Sequence, residues 1–217
     1  MTKLSIKASE ITNLTDARYF SAREVDWLGF SLDSSSENYI APIQINAIRE
    51  WISGPGIVVE MGAIIDPDDV FKAIDLLKPD AVQVGSLFRY NQLPDLNSVV
   101  LIRELVPDHL NQFDDYIYEF RQWENTVRFF LLNLEKNGFS WQEIKNNENA
   151  LTQLQQLCKN YNITLSMVFD HSELDEILSL LKPFGLSFQG GVEEKVGMKS
   201  FESLDDIFDR LEEMKIS

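Results

Sequence analysis

Apolar residues in this chain gather in short runs, and between the runs they recur at three- and four-residue intervals. The runs fall at 4–8, 27–32, 57–61, 81–84, 99–102, 129–132, 165–169 and 186–188. None alternates with polar residues over a long stretch, the pattern of parallel strands covered on both faces. Val70, Ala73, Ile74 and Leu77 have the i, i+3, i+4, i+7 spacing of a one-sided helix. Leu174, Ile177, Leu178 and Leu181 repeat it, as do Leu204, Ile207, Phe208 and Leu211. Phe113, Ile117 and Phe120 mark a longer helix before the sixth run.

Helix ends are signed locally. Asp66-Pro67-Asp68-Asp69 supplies a capping carboxylate, a proline for the first turn and two acids at the positive end of the helix dipole. Ser140 with Glu143, and Ser203 with Asp206, have capping-box spacing. Leu77-Lys78-Pro79 and Leu181-Lys182-Pro183 each stop a helix with a cation and a breaker. The polar stretch 133–149 reads as a long connection, a candidate mobile loop.

Eight strands alternating with helices over about 200 residues is the smallest size of an eightfold (β/α) TIM barrel. The predicted fold is therefore α/β, one barrel domain spanning 1–217. From the pattern alone, a doubly wound open sheet is the alternative.

Charge and composition narrow the partners. The formal net charge of −16 repels nucleic acid and anionic lipid, and phosphorylated metabolites too unless a local positive site overcomes it. One cysteine, Cys158, permits no intrachain disulfide and suits a reducing compartment. It sits in the apolar stripe Leu151, Leu154, Leu157, Tyr161, as a buried helix thiol would. No secretory leader is legible at the N-terminus, and no window approaches the roughly 18 apolar residues of a membrane span. The expected location is the cytoplasm. Two histidines, His109 and His171, and one distant cysteine make no zinc site, the aspartate groups lack calcium-loop spacing, and no nucleotide-binding glycine fingerprint is present. No metal or cofactor is expected.

The chemistry-bearing letters lie at strand ends, and there the chain resembles the phosphoribosylanthranilate isomerase family. Lys7-Ala8-Ser9-Glu10-Ile11-Thr12 resembles the family's K-x-C-G-x-T, and Ile11-Thr12 through Asp16-Ala17 its I-T-x-x-x-D-A. Leu28-Gly29-Phe30 resembles L-G-F, Ser36-Glu37-Asn38-Tyr39-Ile40 resembles S-P-R-Y-V, and Asp80-Ala81-Val82-Gln83 resembles D-x-V-Q. Phe130-Leu131-Leu132-Asn133 is similar to F-L-L-D, Gly190-Gly191-Val192-Glu193 to S-G-V-E, and Gly197-Met198-Lys199 to G-x-K. The set runs in order along nearly the whole chain.

The resemblance implies a barrel with its site at the carboxyl ends of the strands. It implies an Amadori rearrangement in tryptophan biosynthesis, in which an acid opens an aminoribose phosphate ring and a base removes the adjacent carbon's proton. In the family a strand-one cysteine is the base and a strand-six aspartate the acid. Those catalytic positions here are Ser9 and Asn133. A serine hydroxyl needs a helper base, and an amide delivers no proton. The substrate-binding positions carried over are Lys7, Asn38, Gln83, Arg103, Gly190 and Gly191, with Asn38 replacing an arginine. Met167-Val168 replaces the glycine pair of the seventh-strand phosphate cup. The reading is an isomerase-like barrel with both catalytic positions substituted, impaired in catalysis and keeping at most a partial anion site for a phosphorylated small molecule. Its alternatives are a working isomerase and a different enzyme built on Lys7 or Glu10, the latter only if the backbone turns at Glu10. The resemblance does not set the oligomeric state.

Overall fold

A computed structural model describes residues 3–62, 66–89, 99–111, 113–190, 192–195 and 198–216. Eight parallel strands close into a barrel in chain order: β1 (Ser5–Ser9), β2 (Trp27–Ser31), β3 (Gly56–Glu60), β4 (Ala81–Val84), β5 (Val100–Leu105), β6 (Phe129–Asn133), β7 (Ile163–Ser166) and β8 (Gly185–Gln189). Five residues of β8 pair with β1, from Ser5 opposite Gly185 to Ser9 opposite Gln189, and leave no open edge. This is the eightfold barrel that the strand rhythm predicts.

Helices cover the outside: α1 (Leu14–Ala22), α2 (Pro42–Arg49), α3 (Pro67–Leu77), α4 (Ile117–Trp123), α5 (Trp141–Asn146), α6 (Glu148–Asn160), α7 (Leu174–Leu181) and α8 (Glu202–Ile216). Asp66 caps α3 by accepting from the Asp68 N–H at 3.0 Å. Lys78 and Lys182 end α3 and α7 in the left-handed region, with φ of 45° and 48°. An antiparallel hairpin, β9 (Val192–Lys195) and β10 (Met198–Ser200), interrupts the crossover from β8 to α8.

Four details differ from the sequence pattern. The seventh strand runs from Ile163, two residues ahead of the predicted start, and Val168 makes only an isolated bridge to Ser140. The stretch 133–149 is ordered as a 3-10 turn followed by α5, because Trp141 and Ile144 bury there and Ser140 closes a capping box with Glu143. Helix α8 begins at Glu202, so Ser203 lies inside it and caps nothing. A 3-10 turn at Phe113–Tyr116 takes up the start of the longer helix expected there, leaving α4 at seven residues.

Alternation along each strand divides the core in two. Outward residues such as Ile6, Ala8, Leu28, Phe30, Val59, Val82, Leu132 and Leu165 pack under the helices. Inward, the amino end of the barrel is apolar, filled by Val58, Ala81, Ile102, Phe129 and Leu131. Toward the carboxyl ends the inward residues become polar and stay buried: Lys7, Ser9, Glu60, Gln83, Glu104, Asn133, Ser166 and Ser187. Gly29 belongs to this inner layer. A Cβ placed on it would overlap the Glu60 carboxylate and come within 2.9 Å of Lys7 Nζ. Its missing side chain is the space that the two ionic groups occupy. Gly29→Ala is expected to lower unfolding stability by about 3 kcal/mol, seen as a fall in the urea midpoint with an unchanged slope.

Candidate functional site at the barrel mouth

Lys7 reaches along the barrel axis from β1. Its Nζ donates to Ser9 Oγ at 2.5 Å and forms a salt bridge with Glu60 Oε1 of β3. Both charged side chains are almost fully buried, at 1% and 5% exposure. Ser9 Oγ shares a second hydrogen bond, of 2.8 Å, with Ser187 Oγ across the β1–β8 seam. Strand β1 ends at Ser9, and the backbone turns at Glu10, whose φ is +55°. Glycine enters this region freely, whereas a residue with a Cβ is strained by about 1–2 kcal/mol. The turn aims the Glu10 N–H at Glu60 Oε2, 3.0 Å away, and carries the Glu10 side chain over the mouth. There its Oε2 accepts from Asn38 Nδ2 at 2.6 Å.

On the other side of the mouth, Glu104 of β5 is the hub. It accepts from Gln83 Nε2 at 3.2 Å, from Asn133 Nδ2 at 2.8 Å and from Lys136 Nζ at 2.9 Å. Asn133 Oδ1 in turn accepts from the Lys136 N–H at 3.2 Å. The Lys136 ammonium also lies 3.7 Å from Glu10 Oε1 and so links the two halves. Beside it, Glu135 accepts from Ser166 Oγ at 2.7 Å.

Burial pushes the Glu60 carboxyl above its ordinary range; Lys7 opposes the shift, and Glu10 and Glu104 add to it. Burial raises Glu135 as well, against its bond from Ser166. For Lys136 burial acts downward, but the charge and hydrogen bond of Glu104, then Glu10 and Glu60, outweigh it and the ammonium is held above its usual value.

The structure therefore brings Lys7, Ser9, Asn38, Gln83 and Asn133 to one mouth. Gly190 follows directly on β8, and Gly191 lies outside the described residues. Arg103 is not at the mouth. It shares the outward face of β5 with Leu101 and Leu105, ion-pairs with Glu119 of α4, donates to Ser86 O at 2.8 Å and stacks 4.3 Å over Trp123. Its neighbour Glu104 takes the inward position instead, because successive strand residues face opposite ways. Met167 packs into the outer core and Val168 is half exposed. Sequence reasoning missed Glu60, Lys136 and the inward role of Glu104. An acid closing an otherwise apolar strand, as in Gly56-Ile57-Val58-Val59-Glu60, was the available signal. Cys158 is buried in α6, where desolvation pushes its thiol up to about 12.

Two surface cavities lie elsewhere: one of 340 Å³ among exposed charges of α7 and α8, and one of 220 Å³ near Phe129 and Asn162 at the amino end of the barrel. Among the described residues, no group of three or more His, Cys, Asp or Glu is placed to hold a metal ion, and no helix is long and apolar enough to cross a membrane.

A closed eightfold barrel of parallel strands with helices outside, its buried polar residues collected at the carboxyl ends of the strands, defines the (β/α)8 TIM-barrel fold class. Within that class, the chain is similar to the phosphoribosylanthranilate isomerases as a diverged relative. N-(5'-phosphoribosyl)anthranilate isomerase of Sulfolobus acidocaldarius is 22% identical over 196 residues, 90% of each chain. The crystal structure of phosphoribosyl anthranilate isomerase from Thermotoga maritima matches with a TM-score of 0.77 at 16% identity, over 96% of this chain and 98% of that one. A phosphoribosyl anthranilate isomerase structure in complex with reduced 1-(o-carboxyphenylamino)-1-deoxyribulose 5-phosphate matches with a TM-score of 0.72 at 17% identity, over 96% and 98%. No family model matches the chain.

Removing one member of a buried ion pair leaves the other charge uncompensated, at a cost of about 3–5 kcal/mol. Lys7→Met is expected to lose that much in urea unfolding, and Lys7→Met with Glu60→Leu to lose less than the single change. A carboxyl raised in the folded state holds its proton to higher pH than in the unfolded chain. Its contribution to stability is thus present in acid and disappears as pH climbs from the ordinary carboxylate range through the folded value. Glu60→Gln should flatten that fall in a series of unfolding curves taken from acid to neutral pH.

Proposed function

We propose that this chain is a phosphoribosylanthranilate isomerase-like barrel that no longer performs the isomerase's proton transfers and keeps its mouth as a small-molecule site. The observation that carries this reading is how the two substituted positions are held. Ser9 Oγ accepts from the Lys7 ammonium at 2.5 Å and is bonded to Ser187 at 2.8 Å. A hydroxyl that receives a hydrogen bond from a cation is a poor acceptor for a substrate proton, and Lys7, salt-bridged to Glu60, is not a free amine able to activate it. Asn133 has its Nδ2 on Glu104 and its Oδ1 on the Lys136 N–H, and neither end carries an ionisable proton.

General acid and general base assistance are each worth about 10²–10⁴-fold. Loss of both leaves a rate at least about 10⁴-fold below that of an enzyme that has them. The small-molecule part of the reading is supported by the likeness to a barrel solved with a phosphate-bearing analogue. A second reading, another enzyme that uses Glu10 as a base, is favoured by the turn at Glu10, which carries that carboxylate over the mouth.

Complementation of a tryptophan auxotroph lacking the isomerase tests the first reading. The chain is expected not to support growth, and growth at the normal rate would overturn the proposal. Restoring Ser9→Cys and Asn133→Asp together is expected to leave turnover low, because the new carboxylate would stand against Glu104 where the amide now donates at 2.8 Å. Loss of some newly found activity in Glu10→Gln would instead support the second reading.

A further inference from the structure

Among the described residues, the mouth on the side of β1, β3, β5 and β6 is rich in carboxylates. Four carboxylates among the described residues gather there, from Glu10, Glu60, Glu104 and Glu135, with the ammonium groups of Lys7 and Lys136. Both ammonium groups are already engaged by carboxylates. Below them, Gln83 faces the barrel axis between its neighbours Glu60 and Glu104. Its Nε2 donates to Glu104, which fixes the amide's orientation, since a flip would set a carbonyl against a carboxylate. Its Oε1 is buried and accepts no hydrogen bond, in a side chain only 4% exposed. An orphaned buried acceptor is unfavourable unless something donates to it. Above it, the ammonium of Lys136 rests between Glu104 and Glu10 on a side chain that is still 37% exposed. The chain thus places one of its own cations at the top of an acceptor-lined cup.

We propose that this cup is a subsite for the ammonium group of an unphosphorylated, amine-bearing small molecule. Glu104, Glu10 and Gln83 Oε1 are its acceptors, and Lys136 is the internal cation that the ligand displaces. This rests on the preceding reading of the mouth as a small-molecule site and gives that site a ligand class. The left-handed backbone at Glu10 fits the same role, because it holds a carboxylate over the cup at a position where glycine would be unstrained.

The test is an NMR titration of the ¹⁵N-labelled chain at neutral pH and low salt, with ethanolamine, ethylene glycol and phosphoethanolamine as probes. The readouts are the side-chain amide signals of Gln83, Asn133 and Asn38. Ethanolamine is expected to shift them, and ethylene glycol, which lacks the ammonium, to bind at least about tenfold more weakly, as is phosphoethanolamine. Lys136→Met should tighten ethanolamine binding at least about tenfold, and Glu104→Gln should weaken it by as much. Glu10→Gly should raise the melting temperature while weakening binding, a combination that a purely structural role does not produce. The proposal is overturned if ethanolamine moves none of these signals in both the native chain and Lys136→Met, or if phosphoethanolamine binds more tightly than ethanolamine. Failure of the amine with isomerase turnover still absent removes only this inference, whereas phosphate binding together with turnover removes the reading it rests on.

Discussion

A lysine inside a barrel must be neutralised, and much of this molecule's mouth follows from how that is done. Lys7 is drawn to Glu60, and the pair fills the volume beside Gly29. The same ammonium takes Ser9 Oγ as a further acceptor, which ties the hydroxyl into the buried network. The other oxygen of Glu60 takes the Glu10 N–H, which ties the left-handed turn after β1 to the ion pair. Burial of such a pair is not itself strongly stabilising, because the lost hydration offsets most of the attraction. Its effect is to specify one arrangement of side chains.

The second half of the mouth is organised by the same logic with Glu104 as the fixed charge. Gln83, Asn133 and Lys136 all donate to it, and Lys136 reaches toward Glu10 to join the halves. Here a fold held in common with anthranilate-sugar isomerases carries carboxylates and ammonium groups paired with one another at its strand ends. Fold places a site, while the site's own groups decide the chemistry. Ser9 and Asn133 sit on β1 and β6 at the mouth, each inside a hydrogen-bond network, Ser9 with Lys7 and Ser187 and Asn133 with Glu104 and Lys136.

Much of the fold was legible in the sequence because each strand is a short apolar run and each long helix has a clear stripe. The misreadings have physical causes. The 133–149 stretch is polar except for Leu134, Phe139, Trp141 and Ile144, and the last two with one capping box suffice for a short helix that composition hides. The seventh strand was shifted because Met167 continues the apolar letters after pairing has ended at Ser166. At the site, Lys7 was visible as an inward cation but its partner was not, since Glu60 comes 53 positions later in the chain. Arg103 was carried to the mouth by resemblance, whereas strand alternation, once Glu104 faces inward, sends it outward to Glu119 and Trp123.

The buried contact between Lys7 and Glu60 can be observed directly. A lysine ammonium open to water exchanges its protons too fast to be seen in a ¹H–¹⁵N correlation at neutral pH and room temperature, whereas one sealed and hydrogen-bonded gives a signal. The structure predicts such a signal for Lys7, with a through-bond or through-space link to the Glu60 side chain, and its loss in Glu60→Gln. A Lys7 ammonium that exchanges like free lysine, or one that is unchanged when Glu60 is replaced, would contradict the ion pair from which the rest of the mouth is built.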